Sequence, residues 1–254
     1  MLEEQLTTNP KHPIVRMGNE VHRPTSFWTP AVHELLAHLE SVGFPYSPRV
    51  LGFDSEGREI LSYFEGESGK EGWAKIVSDE GLQNFAKLLR TYHDAVASFK
   101  PSENVEWADG SRSLHTEQII CHGDFGPWNI VWQGIEPVGL IDWDMAHPNT
   151  PEYDVLYGIE YSAPFRDNET ATKWHAFPEA PDRKHRIAVF LEAYGISAIP
   201  NVSAKVASMQ RAVGQHEAYL AKRGIQPQVS WVAEGDLEEI EKRANWTEAN
   251  HNLF

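Results

Sequence analysis

His122-Gly123-Asp124-Phe125-Gly126-Pro127-Trp128-Asn129, running into Ile130-Val131-Trp132 and then Val138-Gly139-Leu140-Ile141-Asp142, is the stretch from which the fold is argued. An aspartate stands five residues before an asparagine, and a second aspartate ends the next apolar run. Ile130–Trp132 and Val138–Ile141 are short β-prone runs separated by the turn-rich Gln133-Gly134-Ile135-Glu136-Pro137. If they pair as an antiparallel hairpin, the start of the first strand lies beside the end of the second. The spacing therefore predicts Asn129 and Asp142 at one end of a hairpin, with the preceding loop bringing Asp124 to the same place. Such a set has the polar core of a kinase-type phosphoryl-transfer site. One carboxylate serves an acceptor hydroxyl, while an amide and a second carboxylate suit hard Mg²⁺. Taken singly, a Gly-Asp pair or an Asn before a strand is ordinary turn chemistry. It is the joint pattern that points to a site.

Together with Ile141-Asp142-Trp143-Asp144 and Pro151-Glu152-Tyr153-Asp154, the passage resembles the aminoglycoside phosphotransferase and choline kinase-like superfamily. Those small-molecule kinases have a protein-kinase-like fold. The resemblance implies that Asp124 is the catalytic aspartate and that Asn129 and Asp142 are the magnesium ligands. It extends more weakly to Leu61-Ser62-Tyr63-Phe64-Glu65-Gly66-Glu67, which looks like the inter-lobe hinge, with Ser62 and Phe64 against the nucleotide. Leu88-Leu89-Arg90-Thr91-Tyr92-His93-Asp94 looks like the helix whose histidine precedes the catalytic loop. An α+β, bilobal kinase-like fold follows as the expectation. Its small, shortened β-rich lobe of residues 1–64 would cover the nucleotide, and residues 65–254 would form a helical lobe with the catalytic loop and metal site. ATP and Mg²⁺ are the implied cofactors, and a small hydroxyl compound is the implied acceptor.

The chain has 254 residues, enough for one large domain or two lobes around a cleft, and its 41% hydrophobic and 23% charged content is that of a globular protein. No apolar stretch approaches the roughly 20 residues of a membrane helix, and Met1-Leu2-Glu3-Glu4-Gln5 lacks signal-peptide character. The single cysteine, Cys121, rules out an internal disulfide framework and reads as a buried packing residue, so a cytoplasmic setting is expected. A formal net charge of −15 argues against broad binding to nucleic acid or anionic membrane. It fits a cationic substrate and fits mere solubility equally well.

Ile14–Met17 and Glu20–Arg23 read as a hairpin across Gly18-Asn19. Thr29 suits an N-cap, with Pro30 next and Val32, Leu35, Leu36, Leu39 and Val42 at helical spacing before Gly43. Arg49–Phe53 and Glu59–Phe64 read as strands, giving about four strands and one helix. Residues 65–72 are polar and glycine-rich but lack phosphate-loop spacing, and read as a flexible inter-lobe linker. Beyond them Leu82, Phe85, Leu88, Leu89, Tyr92 and Val96 form one helical stripe, and Ile187, Phe190, Leu191 and Tyr194 another. Two more helices are expected, from about Val202 to Arg223 and from about Leu237 to Ala249 with Asp236 as N-cap. Ala163–Arg183 reads as a loop near the cleft.

Several polar residues leave alternatives open. If the strand continues past Asp142, Asp144 faces the same side and reaches magnesium or acceptor; a local turn role is the other reading. His122 and His147 could join Asp142 and Asp144 in a metal-dependent hydrolase, although that leaves Asn129 unexplained. His122 otherwise holds the catalytic loop, His93 is a core histidine, and Asp154 caps or anchors a helix starting near Val155. The nucleotide side has no G-x-G-x-x-G, and the first strands look shortened or lost. Arg23 or His22 stands where a kinase has its strand lysine, with Glu34 or His33 beside it and Arg16 as a helper. A guanidinium there would bind phosphates bidentately. The weak phosphate loop also admits a nucleotide-binding pseudo-kinase with little transfer activity.

Overall fold

A computed structural model describes residues 3–7 and 13–254; Met1 and Leu2 of the polar opening stretch lie outside the described residues. The first part of the chain carries strands β1 (Glu3–Gln5), β2 (Val15–Met17) and β3 (Glu20–Arg23), helix α1 (Thr29–Ser41), and strands β4 (Val50–Phe53) and β5 (Glu59–Ser62). They form one antiparallel sheet in the order β1-β2-β3-β5-β4. The β2–β3 hairpin turns at Gly18-Asn19 as its sequence predicts, with Val15 opposite His22. β1 was not legible, because its three residues are all exposed and polar. The β1–β2 connection closes where the Leu6 N–H donates to the Ile14 carbonyl at 2.8 Å. The opening strand is thus short but present. α1 buries Val32, Leu35, Leu36 and Leu39. Thr29 is its first residue, not its N-cap, and its hydroxyl oxygen accepts from the Ser26 N–H at 2.8 Å.

The glycine-rich joint is not a free linker. Glu67 and Trp132 exchange backbone hydrogen bonds at 2.9 and 2.8 Å, stitching it to the central hairpin. Gly66 has φ of +156°, and a Cβ there would lie 2.6 Å from the Trp132 carbonyl oxygen, so only glycine permits the approach. After a 3-10 turn at Gly69–Glu71 come α2 (Gly72–Lys75) and α3 (Asp79–Val96). The Ser78 hydroxyl caps α3 by accepting from Gly81 N–H, and the stripe from Leu82 to Val96 is buried as its spacing predicts. Each such side chain contributes about 1.5–3 kcal/mol on burial.

The rest comprises β6 (Ile119–Cys121), β7 (Ile130–Gln133), β8 (Glu136–Leu140), β9 (His147–Asn149), α4 (Glu152–Ser162), α5 (Asn168–Trp174), α6 (Arg183–Tyr194), α7 (Val202–Lys222), α8 (Gln228–Glu234) and α9 (Asp236–Ala249). β7 and β8 form the predicted hairpin, while β6 pairs with β9 across the whole intervening segment that holds it. Phe85 of α3 stacks on Phe125 at 4.6 Å and meets Phe190 of α6 at 5.8 Å, so the loop that carries Asp124 rests on the helical core. Cys121 is buried there, as expected. Ala163–Arg183 differs from its reading: it contains α5, and none of its residues lines the cleft cavities described below. Asp236 is the first residue of α9, capped by Gly235, and α8 was not anticipated.

Candidate active site

Asn129 ends a 3-10 turn begun by Pro127, and the Ile141 N–H donates to its carbonyl at 2.9 Å. That bond extends the β7–β8 hairpin and brings Asn129 and Asp142 to the same end. The strand stops there. Asp142 is left-handed, with φ of +60°, and Trp143–Met145 forms a 3-10 turn. An aspartate tolerates that conformation better than most residues. The turn sends the buried Trp143 inward, where its Nε1–H donates to Leu140 O at 2.9 Å. Strand alternation therefore does not align Asp142 and Asp144.

Asp124 meets them from the loop. Its Oδ1 accepts from the Tyr157 hydroxyl at 2.6 Å and its Oδ2 from Asn129 Nδ2 at 2.7 Å. The Asn129 amide nitrogen also donates to the Asp124 carbonyl at 3.0 Å, which leaves the amide oxygen for a cation. Burial pushes the Asp124 carboxyl up to about 7; Tyr157 opposes the shift, Asp142 adds to it, and Asn129 and Trp128 oppose it. Desolvation within the cleft and then Asp144 raise Asp142, against the pull of Arg23.

The loop is held from beneath. Asp154 lies inside the first turn of α4 rather than capping a helix, and it is fully buried. Its Oδ2 accepts from His122 N–H at 2.7 Å and faces His93 Nε2 at 3.2 Å; its Oδ1 accepts from Gly123 N–H at 3.0 Å. Burial alone would raise its pKa, but these donors hold it below the usual carboxylate range. Gly123 has φ of +81° and lies directly on the Met145 carbonyl, leaving no room for a Cβ. His122 spans Asp124 N–H and Ile141 O, and burial pushes its pKa down to about 4, so it is a neutral loop-holder. His93 is a satisfied core histidine, its other nitrogen 2.7 Å from the Tyr194 hydroxyl. His147 contacts Met145 O and Asn149. Among the described residues no group of three or more His, Cys, Asp or Glu is arranged to hold a metal, which removes support for the hydrolase cluster.

On the sheet side, β3 sends His22 and Arg23 to opposite faces. His22 turns to Asp54 at 3.0 Å, while Arg23 enters the cleft. Arg23 lies 3.2 Å from Glu59, 3.6 Å from Asp142, and bonds Asp144. Burial by itself would disfavour its charge, but Asp144, Asp142 and Glu59 outweigh that and keep it protonated. Glu34 does not orient it; it accepts from Ser102 N–H at 3.0 Å. The orienting acid is Glu59, opposite Arg23 in the β3–β5 register and 2.7 Å from His33. Arg16 lies outside, bonded to Glu65 at 3.0 Å and stacked 3.8 Å over Tyr63.

Two cavities flank this centre. One of about 320 Å³ lies under the sheet, lined by Arg23, Leu61, Ser62, Phe64, Asn129 and Asp142 among others. The second, of about 460 Å³, runs from Asp124 and Asp142 toward Glu217 on α7 and Trp231 on α8. Asp144 and Trp128 line both. Sequence reasoning missed Tyr157, Glu59 and the wall from α7 and α8. Tyr157 was findable, since three residues after Asp154 on a helix share a face.

These features are those of a small-molecule kinase. The model of the APH phosphotransferase enzyme family matches residues 103–186. The trifolitoxin immunity protein of Rhizobium leguminosarum bv. trifolii is 38% identical over 197 residues, covering 76% of this chain and 74% of that one. The chain belongs to this phosphotransferase family. In fold it is similar to a choline/ethanolamine kinase family protein from Mesorhizobium loti, with a TM-score of 0.60, 16% identity, and 98% and 87% of the two chains covered. It is also similar to amicoumacin kinase hAmiN in complex with AMP-PNP, Ca²⁺ and Ami, with a TM-score of 0.61, 9% identity, and 95% and 88% covered. A third is the streptomycin–ATP–APH(2″)-IIa ternary complex, with a TM-score of 0.58, 12% identity, and 97% and 93% covered. Among the described residues no helix is long and apolar enough to cross a membrane.

Proposed function

We propose that the protein transfers the γ-phosphate of ATP to a hydroxyl of a small molecule, with Asp124 as proton acceptor. The observation that carries this is the convergence of Asp124, Asn129 and Asp142 where the two cavities meet. ATP would lie in the cavity under the sheet, beside Ser62 and Phe64, covered by residues 1–64. The acceptor would occupy the cavity walled by the helical part, residues 65–254. The Asn129 amide oxygen and the Asp142 carboxylate form a hard donor set, and Mg²⁺ sites typically combine one or two carboxylates with substrate phosphates. When bound, the metal would neutralise charge on the transferring phosphate.

The chain's own residues supply position. Tyr157 and Asn129 fix the Asp124 carboxylate, Asp154 fixes the loop beneath it, and Arg23 offers a guanidinium at the phosphate end. Asp124 takes the hydroxyl proton as the acceptor oxygen attacks, and geometry does most of the work. The negative surface charge and the cleft carboxylates favour an acceptor with a positive charge. The relative named for trifolitoxin immunity suggests a purpose, inactivation of a toxin by phosphorylation in the cytoplasm, where ATP is available. The test is phosphate transfer to a panel of hydroxyl compounds by wild type and Asp124→Ala. The variant should lose at least about a hundredfold in turnover while still binding nucleotide. Near-normal turnover would refute the assignment.

A further inference from the structure

We propose that the acceptor cavity selects a hydroxyl compound with an aromatic or similarly flat apolar body, and that Trp231 is its stacking platform. This rests on the phosphotransferase reading and names the substrate class that reading leaves open. A small amino alcohol or a polycationic sugar would fit this wall less well.

The cavity's middle is aromatic. Trp28, Tyr153 and Tyr157 are each less than a tenth exposed, and the Trp128 indole lies flat on Gly126 with no room for a Cβ between them. Val213, Ile225 and Pro227 continue the apolar wall. Two of the four polar tips there are committed: the Tyr157 hydroxyl donates to Asp124, and Trp128 Nε1–H points to the same carboxylate at 3.5 Å. A sugar with many hydroxyls would lose water at these surfaces and regain few hydrogen bonds.

Trp231 is the unexplained residue of this wall. It lines the cavity from α8 and is 43% exposed, whereas Trp28 on the same wall is buried. A large indole left open beside a concave site is surface available to a ligand ring. At the far end, burial and the neighbouring Asp236 push the Glu217 carboxyl up, which favours its neutral form. Its sequence neighbour His216 is pushed down to about 4 by burial and is neutral too. His216 Nε2, Glu217 Oε2 and Gln228 Oε1 are buried without a hydrogen-bond partner in the protein, enough for two or three polar groups and not for many. The carboxyl groups of Asp124, Asp142 and Asp144 lie instead at the reacting end. A cavity of about 460 Å³ also has room for a drug-sized molecule.

The test measures binding of three probes to protein loaded with Mg-AMP-PNP, by calorimetry: phenylalaninol, ethanolamine and kanamycin. Phenylalaninol should bind at least about tenfold more tightly than ethanolamine, the scale of one stacked ring, and more tightly than kanamycin. W231A should erase that preference while Mg-AMP-PNP binding is unchanged, and W231F should retain most of it. In turnover, the loss in W231A should fall on KM for the ring-bearing acceptor. Equal or tighter binding of ethanolamine or kanamycin, no binding of phenylalaninol, or an intact preference in W231A would each overturn the inference. The phosphotransferase reading fails separately, by turnover that survives in D124A.

Discussion

Asp154→Asn changes one buried atom and tests how the catalytic loop is held. The native carboxylate has three donors around it: His122 N–H and His93 Nε2 at Oδ2, and Gly123 N–H at Oδ1. The amide must place its NH₂ group at one of these positions. At Oδ1 it faces the Gly123 N–H, donor against donor. At Oδ2 it could donate to a re-tautomerised His93, but the His122 N–H then loses its acceptor. Either way at least one buried backbone donor is orphaned, costing about 1–3 kcal/mol. The remaining bonds lose their charge assistance, adding roughly 1 kcal/mol. The sum of about 2–4 kcal/mol is below a typical stability of about 5–15 kcal/mol, so the variant should fold. For a chain of this size it should melt roughly 5–15 °C lower, read by calorimetry at neutral pH. Gly123 precedes Asp124, so a loop displaced by as little as about 1 Å should also cut turnover about a hundredfold. A melting temperature within about 1 °C of wild type, with normal turnover, would refute loop anchoring by Asp154.

Other consequences are equally direct. Asp142→Asn removes the anionic member of the hard-oxygen pair and should abolish most of the magnesium enhancement of ATP binding; an unchanged calorimetric response would place the metal elsewhere. Arg23→Ala should weaken ATP by about tenfold to more than a hundredfold and leave adenosine unaffected, with Arg23→Lys recovering part of the loss. Equal losses for both ligands would instead mean that Glu59, Asp142 and Asp144, left without their shared cation, destabilise the sheet side. The Asp124 carboxyl is raised from 3.8 to about 7, so its proton-accepting form prevails above that range and disappears below it. A bound cation lowers the value, so turnover should fall as pH drops through a midpoint at or below about 7. A profile flat down to about pH 4 would exclude Asp124 as the base.

The local patterns were readable. Alternation, turn residues and one apolar run carried the β7–β8 hairpin, and with it the meeting of Asn129 and Asp142, because a hairpin's partners are near neighbours in sequence. The helical stripes of α1, α3 and α6 were readable for the same reason: a period of 3.6 records burial directly. Strand β1 and helix α8 were not, since three exposed polar residues and a seven-residue turn-bounded helix carry too little period.

What joins distant segments left no local trace. Glycine-rich residues 65–72 have the composition of a linker, yet Gly66 is there to bring Glu67 against Trp132. Arg23 could be proposed as a cleft cation from its strand. That Glu59, not Glu34, holds it depends on the register of β3 on β5, which brings residues 36 positions apart side by side. The same is true of Asp154, whose place at a helix start suggested a cap, while packing of α4 against α3 and the loop made it the acceptor for two loop amides. Sequence alone determined that Asn129 and Asp142 meet at the end of one hairpin, and it supplied the proposal that these groups and Asp124 carry the chemistry. Only the tertiary structure decided what holds them and what fills the acceptor wall, because hydrogen-bond satisfaction and packing are settled between elements, by partners that no spacing along the chain records.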